Sequence, residues 1–254
     1  MKIEEQPKIR FRSRDGVCLD SLGAVYLIPN LLGETAIDSS LPPLIASTVA
    51  KLSHFLVEDE KNARRFIKQL CPEVAIRELT IKRLNEHTQK DELESLASPL
   101  RTGIDIGIIS EAGCPAIADP GSDIVRIAHT IGAPVRPLVG PCSMILALMG
   151  SGFSGQRWRF SGYLPIDEQQ RRAAITSLER DLYQRDETQI FMETPYRNQK
   201  LLEDLLGACR PETGLCIASA LTTAEESIRS RSVQEWRAIR EPLPRVPTIF
   251  VLGR

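Results

Sequence analysis

Residues 104–122 read IDIGIISEAGCPAIADPGS, and this stretch decides the fold. Four of its first seven residues are isoleucine, and Ile106–Ile109 is interrupted by one small residue, Gly107, the composition of a strand buried on both faces. The strand runs straight into a loop rich in Gly113, Pro115, Asp119, Pro120 and Gly121. DIVRIAHTI follows with helical apolar spacing and closes at Gly132, and Ser122 is placed to cap that helix. Strand, loop and helix in this order form the building unit of a parallel sheet.

The same rhythm extends outward. AVYLI (24–28) is a short apolar run stopped by Pro29-Asn30, and Pro42-Pro43 opens the helical segment LIASTVAKL. HFLVE (54–58) reads as a strand. Glu60–Leu70 reads as a helix with Ala63, Phe66, Ile67 and Leu70 on one face, ended by Cys71-Pro72. Residues 75–85 are ambiguous, and Asp91–Leu100 reads as a mostly exposed helix. APVRPLVG (133–140) is a further strand and Pro141–Gly150 a further helix. The alternation predicts an α/β fold whose parallel sheet is covered on both faces. Ligands of such sheets bind beyond the C-terminal strand ends.

The second half alternates less regularly. RWRFSGYLP (157–165) reads as strand then loop, Asp167–Tyr183 as helix, and ETQIFMET (187–194) as strand. Pro195 at N1 starts the helix YRNQKLLEDLLGAC, and GLCIASA (214–220) and PTIFVLG (247–253) are strands. The expected division is an N-terminal extension over 1–22 and two α/β domains of similar size, 23–138 and 139–254.

Composition excludes several classes. The 254 residues are 42% hydrophobic and 26% charged, a globular mixture rather than a disordered one. With 32 basic and 33 acidic residues the formal charge is −1, so a nucleic-acid partner needs a local basic patch. The longest apolar run, around Leu138–Gly150, falls short of the roughly 20 residues that span a bilayer. The mixed charge of the first fifteen residues is not a secretory signal, so a cytoplasmic protein without membrane contact is expected. The six cysteines (Cys18, Cys71, Cys114, Cys142, Cys209 and Cys216) form no CxxC pair and read as reduced thiols. With His54, His87 and His129 isolated, no metal spacing exists. A GxGxxG after the first strand, a P-loop and a GxSxG elbow are all missing.

Four stretches could carry chemistry. The 110–121 loop is long for its class and brings Glu111 and Asp119 to the sheet edge; it is either a ligand loop or a rigid connection. LVGPCSM (138–144) exposes helix N-terminal N–H groups that suit a carboxylate or phosphate, or it is a hinge. FMETPYRN (191–198) delivers Glu193, Tyr196 and Arg197, as a surface pair or as the lining of a cleft mouth. FSGYLP (160–165) sets an aromatic near Arg171-Arg172, to stack a flat ring or to decorate the surface.

Five elements occur in one order over roughly residues 23–252. They are Glu58-Asp59 with Arg64-Arg65-Phe66; Ser110-Glu111-Ala112-Gly113-Cys114-Pro115 with Asp119-Pro120-Gly121; Val139-Gly140-Pro141-Cys142-Ser143; Phe160–Pro165; and Glu193-Thr194-Pro195-Tyr196-Arg197. Together they resemble the tetrapyrrole methylase superfamily of S-adenosyl-L-methionine (SAM) methyltransferases, in the branch of small-subunit rRNA 2′-O-ribose (cytidine) methyltransferases. Pro29–Glu34 and Ser219–Glu226 depart from that branch. The resemblance implies a class III methyltransferase-like fold: a mostly parallel N-terminal sheet, a mixed C-terminal sheet and a cofactor cleft between the domains. It implies a homodimer, an rRNA or ribosomal-subunit partner, and SAM contacts at Pro29, Gly113, Cys114, Ile117, Asp119, Cys142, Ser143, Met192, Ala220 and Pro247.

Glu193, Glu111 and Asp119 are the candidate bases for an acceptor hydroxyl. Arg197, Arg64, Arg65 and the Arg171-Arg172 pair are candidates to hold acceptor phosphates. The alternatives are a tetrapyrrole or other small-molecule acceptor, and a SAM-binding protein without turnover.

Overall fold

The computed structural model describes residues 22–239 and 241–254. The expected 1–22 extension, apart from Leu22, lies outside the described residues, as does Cys18. In chain order the first half forms β1 (Val25–Ile28), α1 (Ile37–Ser40), α2 (Pro43–Val49), β2 (His54–Val57), α3 (Glu60–Leu70), β3 (Thr80–Arg83), α4 (Lys90–Ala97), β4 (Ile106–Ile109), α5 (Ser122–Ile131) and β5 (Val135–Pro137). The second half adds α6 (Ser143–Ser151), β6 (Trp158–Tyr163), α7 (Glu168–Arg185), β7 (Thr188–Glu193), α8 (Asn198–Ala208), β8 (Gly214–Ser219), β9 (Ser227–Ser232), α9 (Val233–Ala238) and β10 (Thr248–Gly253). Short 3-10 turns at Ile76–Glu78 and Ser98–Thr102 precede β3 and follow α4.

The chain divides into two units. The first holds the described residues up to Asn30 together with Leu41–Gly140; the second holds Leu31–Ser40 and Pro141–Arg254. Sheet order in the first is β3-β2-β4-β1-β5, with every pairing parallel. Central β4 is buried along its whole length, as the isoleucine run demands. Its one small residue, Gly107, sits where a Cβ would lie 2.7 Å from Ile28 and 2.9 Å from Phe55. Val25, Leu56, Ile106 and Ile108 pack with Leu96, Leu100, Ile124 and Ala128 of the helical layer.

The second unit has the sheet order β6-β7-β10-β8-β9. Only β6–β7 is parallel; β10 enters antiparallel between β7 and β8, and β9 closes the edge. Alternation along β10 sends Phe250 and Leu252 into a core with α7, α8 and α9, where Phe191 and Phe250 stack at 5.9 Å between centroids. Ile249 and Val251 turn to the other face, against Met144, Ala147 and Leu148 of α6.

Several local expectations shift. Gly121, with φ +128°, and not Ser122, is the N-cap of α5, and no side chain caps that helix. The helix expected from Pro195 starts three residues later, at Asn198, with Arg197 as N-cap; residues Pro195–Arg197 form a turn instead. The ambiguous 75–85 segment holds the 3-10 turn and edge strand β3. Polar SIRSRS, unread in the sequence, is the edge strand β9. Cys71, Cys114, Cys142, Cys209 and Cys216 are free. Burial pushes the Cys209 thiol up to about 12 and Cys216 up to about 11, so both are inert wall residues. No helix among the described residues is long and apolar enough to cross a membrane.

Candidate functional site

In the parallel-sheet unit the site is built on the ends of β1, β2 and β4. Pro29 ends β1, and Asn30 reaches across to the loop after β4. Its backbone N–H donates to Gly113 O at 2.8 Å and its O accepts from Gly113 N–H at 3.2 Å. The Asn30 side-chain amide donates to Ser110 O (2.9 Å) and Glu111 O (3.1 Å), and Ser110 Oγ donates to Gly113 O (2.8 Å). One asparagine thus pins the loop at three residues. The Pro29 ring also meets the loop after β5, because a Cβ on Gly140 would lie 2.2 Å from it. Cys114 Sγ lies 3.9 Å from Gly140 O. Pro29, Gly113 and Cys114 therefore come together in this unit.

Beyond that anchor the backbone is strained. Ala116 and Ala118 hold φ of +64° and +59°, and Gly113 and Gly121 are also positive. Left-handed backbone costs an alanine roughly 1–2 kcal/mol, and such strain concentrates at functional loops. Between the two alanines Ile117 stands 47% exposed.

Asp119 follows, half-buried. Burial first, then the charges of Glu58 and Glu111, push its carboxyl from the ordinary carboxylate range up to about 7. Glu58, at the end of β2, is likewise raised, by burial and by Glu111. Its Oε1 is buried with no hydrogen-bond partner among the described residues. Glu111 is exposed and accepts from Asn62 Nδ2 at 2.8 Å, Asn62 itself being fixed in the first turn of α3 by the N-cap Asp59. Asn30, Glu58 and Asn62 are site residues that spacing alone does not reveal; the Pro29-Asn30 turn signal pointed to the first and the Glu58-Asp59 motif to the second, while nothing pointed to Asn62.

The mixed-sheet unit carries the other expected residues. Cys142 is the N-cap of α6 and makes no side-chain cap, and Ser143 opens the helix. Met192, opposite Ile249 across β7–β10, borders the same apolar cluster as Cys142. Ala220, at φ +50°, donates its N–H to Pro247 O at 3.0 Å, which ties these two residues together. Thr222, at φ +68°, buries an Oγ1 that has no hydrogen-bond partner among the described residues.

Glu193 and Arg197 form an ion pair at 2.5 Å, with the Glu193 side chain 1% exposed. Glu193 Oε1 accepts from Thr194 N–H, and Arg197 also donates to Leu164 O. Arg171, a sequence candidate for holding phosphate, is buried instead. It pairs with Asp204 at 2.7 Å and donates to the carbonyls of Pro165 and Ile166, fastening the 164–166 loop. Arg172 keeps half its surface but shares Asp204 and Glu168. Among the described residues no cluster of His, Cys, Asp and Glu could hold a metal ion.

The family model for Tetrapyrrole (Corrin/Porphyrin) Methylases matches residues 45–236. The chain is similar to the Ribosomal RNA small subunit methyltransferase I of Micromonospora olivasterospora, 31% identical over 209 residues, which cover 82% of this chain and 63% of that protein. Its similarity to the protein of the same name from Escherichia coli O157:H7 is 27% over 216 residues, 85% and 71% of the two chains. Among solved structures, the methyltransferase CobJ superposes with a TM-score of 0.59 at 18% identity, covering 92% of this chain and 94% of that one. Diphthine synthase superposes with a TM-score of 0.59 at 12% identity, covering 91% and 89%. Those structural likenesses carry the fold of one parallel and one mixed sheet. The family match spans both units and includes the pinned loop after β4, the N-terminus of α6 and the Glu193–Arg197 turn, so the chain belongs to the tetrapyrrole methylase family.

Proposed function

We propose that this protein is a SAM-dependent methyltransferase that modifies small-subunit rRNA at a ribose 2′-hydroxyl. The observation that carries the reading is its similarity, over more than four fifths of the chain, to proteins named Ribosomal RNA small subunit methyltransferase I. The residues present suit the cofactor. Uncapped α6 offers backbone N–H groups to a carboxylate, and Ile117 offers apolar surface. The Glu58, Glu111 and Asp119 carboxylates supply negative potential for a sulfonium. Buried Thr222 Oγ1 is an unused hydrogen-bonding group beside Ala220.

When bound, SAM supplies an electrophilic methyl group; the chain orients it and the acceptor. Pro29, Gly113, Cys114, Ile117, Asp119, Cys142, Ser143, Met192, Ala220 and Pro247 are its proposed contacts. Asp119 takes the proton that the acceptor hydroxyl releases, its carboxyl being matched to neutral pH. Glu111 sustains that shift by its charge. Glu193, tied to Arg197 and Thr194, holds the turn after β7 in place rather than moving a proton. The same reading makes the protein a cytoplasmic homodimer, which light scattering tests.

Labelled SAM is offered with small ribosomal subunits from a strain lacking this gene, and separately with a uroporphyrinogen-type substrate. Label in rRNA ribose is expected. Label only in the macrocycle moves the acceptor to the tetrapyrrole class, and binding heat without label in either removes the catalytic reading.

A further inference from the structure

We propose that a basic groove on the outer edge of the parallel-sheet unit, lined by Arg64, Lys68 and Arg77, holds the phosphate backbone of the RNA substrate. The proposal rests on the rRNA reading above and assigns the substrate a track on the protein. A chain of net charge −1 needs local basic surface to hold a polyanion.

That surface begins with α3. Ala63, Phe66 and Ile67 turn inward, which leaves Lys61, Arg64, Arg65 and Lys68 on the solvent side. From the start of α3 to the end of β3, Glu60–Arg83, the chain carries seven basic and three acidic residues. Lys61, Arg65, Arg77, Lys82 and Arg83 are exposed and form no ion pair among the described residues. The ion pair of Arg64 is with Glu60, on the surface of the same helix, where water and salt leave it weak enough to exchange for phosphate. Lys68 Nζ donates to Pro72 O, which draws its stem along the groove.

The groove has a volume of about 600 Å³. Its remaining walls are Val74, Ala75, Ile76 and Leu79, with no carboxylate and no aromatic ring. Cations without rings hold phosphates and do not stack bases, so the binding is independent of sequence. α3 runs back from the C-terminal end of β2 toward the start of the parallel strand β3, which puts Lys68 and Arg77 at the N-terminal strand ends. Glu58, on which the charges of Glu111 and Glu86 act, lies at the opposite end.

The test measures binding of a naked small-subunit rRNA fragment to the full chain between about 50 and 200 mM salt. Arg64→Ala with Arg77→Ala should flatten the plot of log affinity against log salt by about 0.7–0.9 for each phosphate that the groove no longer neutralises. Arg64→Lys with Arg77→Lys should retain most of the slope, and Arg180→Ala, on the solvent face of α7, should leave it unchanged. SAM binding heat, unaltered in every variant, shows that the fold survives. An unchanged slope in the double alanine variant overturns the proposal. Weakening confined to intact subunits, with naked RNA bound normally, also overturns it, because the groove then meets a ribosomal protein. A parent protein that binds RNA through this groove yet labels no rRNA defeats the functional reading and leaves the groove standing.

Discussion

The two units treat their carboxylates in opposite ways. In the parallel-sheet unit Glu58, Glu111 and Asp119 face one another, and the carboxyls of Glu58 and Asp119 are pushed upward. In the mixed-sheet unit Glu193 is clasped by Arg197, and Asp204 by Arg171, with Arg172 and Lys200 close by. One unit stores repulsion at its loop and the other uses its arginines to fasten loops to the sheet, while both hold left-handed non-glycine backbone, at Ala116 and Ala118 in the first and at Ala220 and Thr222 in the second. Stored strain and shifted carboxyls mark where chemistry is done, whereas satisfied pairs mark scaffold.

The scaffold half of this contrast breaks most visibly at Asp204. Asp204→Ala leaves the guanidinium of Arg171 buried with only the Pro165 and Ile166 carbonyls, and should cost about 3–5 kcal/mol in urea unfolding. Arg171→Met should cost less, since Arg172 and Lys200 remain near the Asp204 carboxylate. Equal losses would mean that Arg172 and Lys200 contribute nothing to this pair. Gly140→Ala tests packing at the other unit's site. Its Cβ would meet the rigid Pro29 ring, so a loss of about 1–3 kcal/mol is expected, together with weaker SAM binding by calorimetry.

The same contrast explains what was legible. The core of the parallel unit could be read because buried strands are continuous apolar runs, and α3 because Ala63, Phe66, Ile67 and Leu70 keep helical spacing and Cys71-Pro72 end it. Strand β9 was hidden because an edge strand needs no apolar face, and SIRSRS has none to show. Helix α8 starts late because Glu193 accepts from Thr194 N–H and binds Arg197, which fixes a turn where Pro195 alone suggests a helix. Arg171 resembled a surface cation because its partner Asp204 is 33 residues away. Glu111 and Asp119 were visible from loop composition, but Asn30 and Glu58 act on that loop from other strands, and one-dimensional spacing cannot show a contact across a sheet.

Asp119→Asn sharpens the electrostatic side. The native carboxyl titrates near 7 and an unfolded one near 3.8, so the native state holds its proton more tightly. The stability this contributes is whole below the unfolded value and is lost as pH rises through about 7. Glu58, raised in the same direction, acts with the same sign. The asparagine variant loses this dependence. It should unfold at about the same urea concentration as the parent near pH 4 and gain on it by about 1–2 kcal/mol at pH 8, a figure reduced for solvent screening of a half-buried group. Methyl transfer should fall at every pH and lose its rise through neutrality. A parent whose stability shows no such fall from pH 4 to 8 would deny that the three carboxylates repel.

The finest test concerns the backbone on either side of Ile117. Ala118 occupies left-handed space at φ +59°, which glycine enters without a steric penalty, so Ala118→Gly removes strain from the native loop. The unfolded chain gains freedom at the same time, and this offsets part of the relief. The net is a rise of about 0.5–1 kcal/mol at most, read as a small upward shift in thermal midpoint. Asn30 should decide how much of the rise survives, because its hydrogen bonds hold the loop at Ser110, Glu111 and Gly113 whatever occupies position 118. If the strain serves to present Ile117, the more stable glycine variant should bind SAM more weakly. A variant that gains both stability and affinity would show that the left-handed Ala118 carries no function, and the contrast between the units rests on charge, because the mixed-sheet unit holds left-handed residues of its own at Ala220 and Thr222.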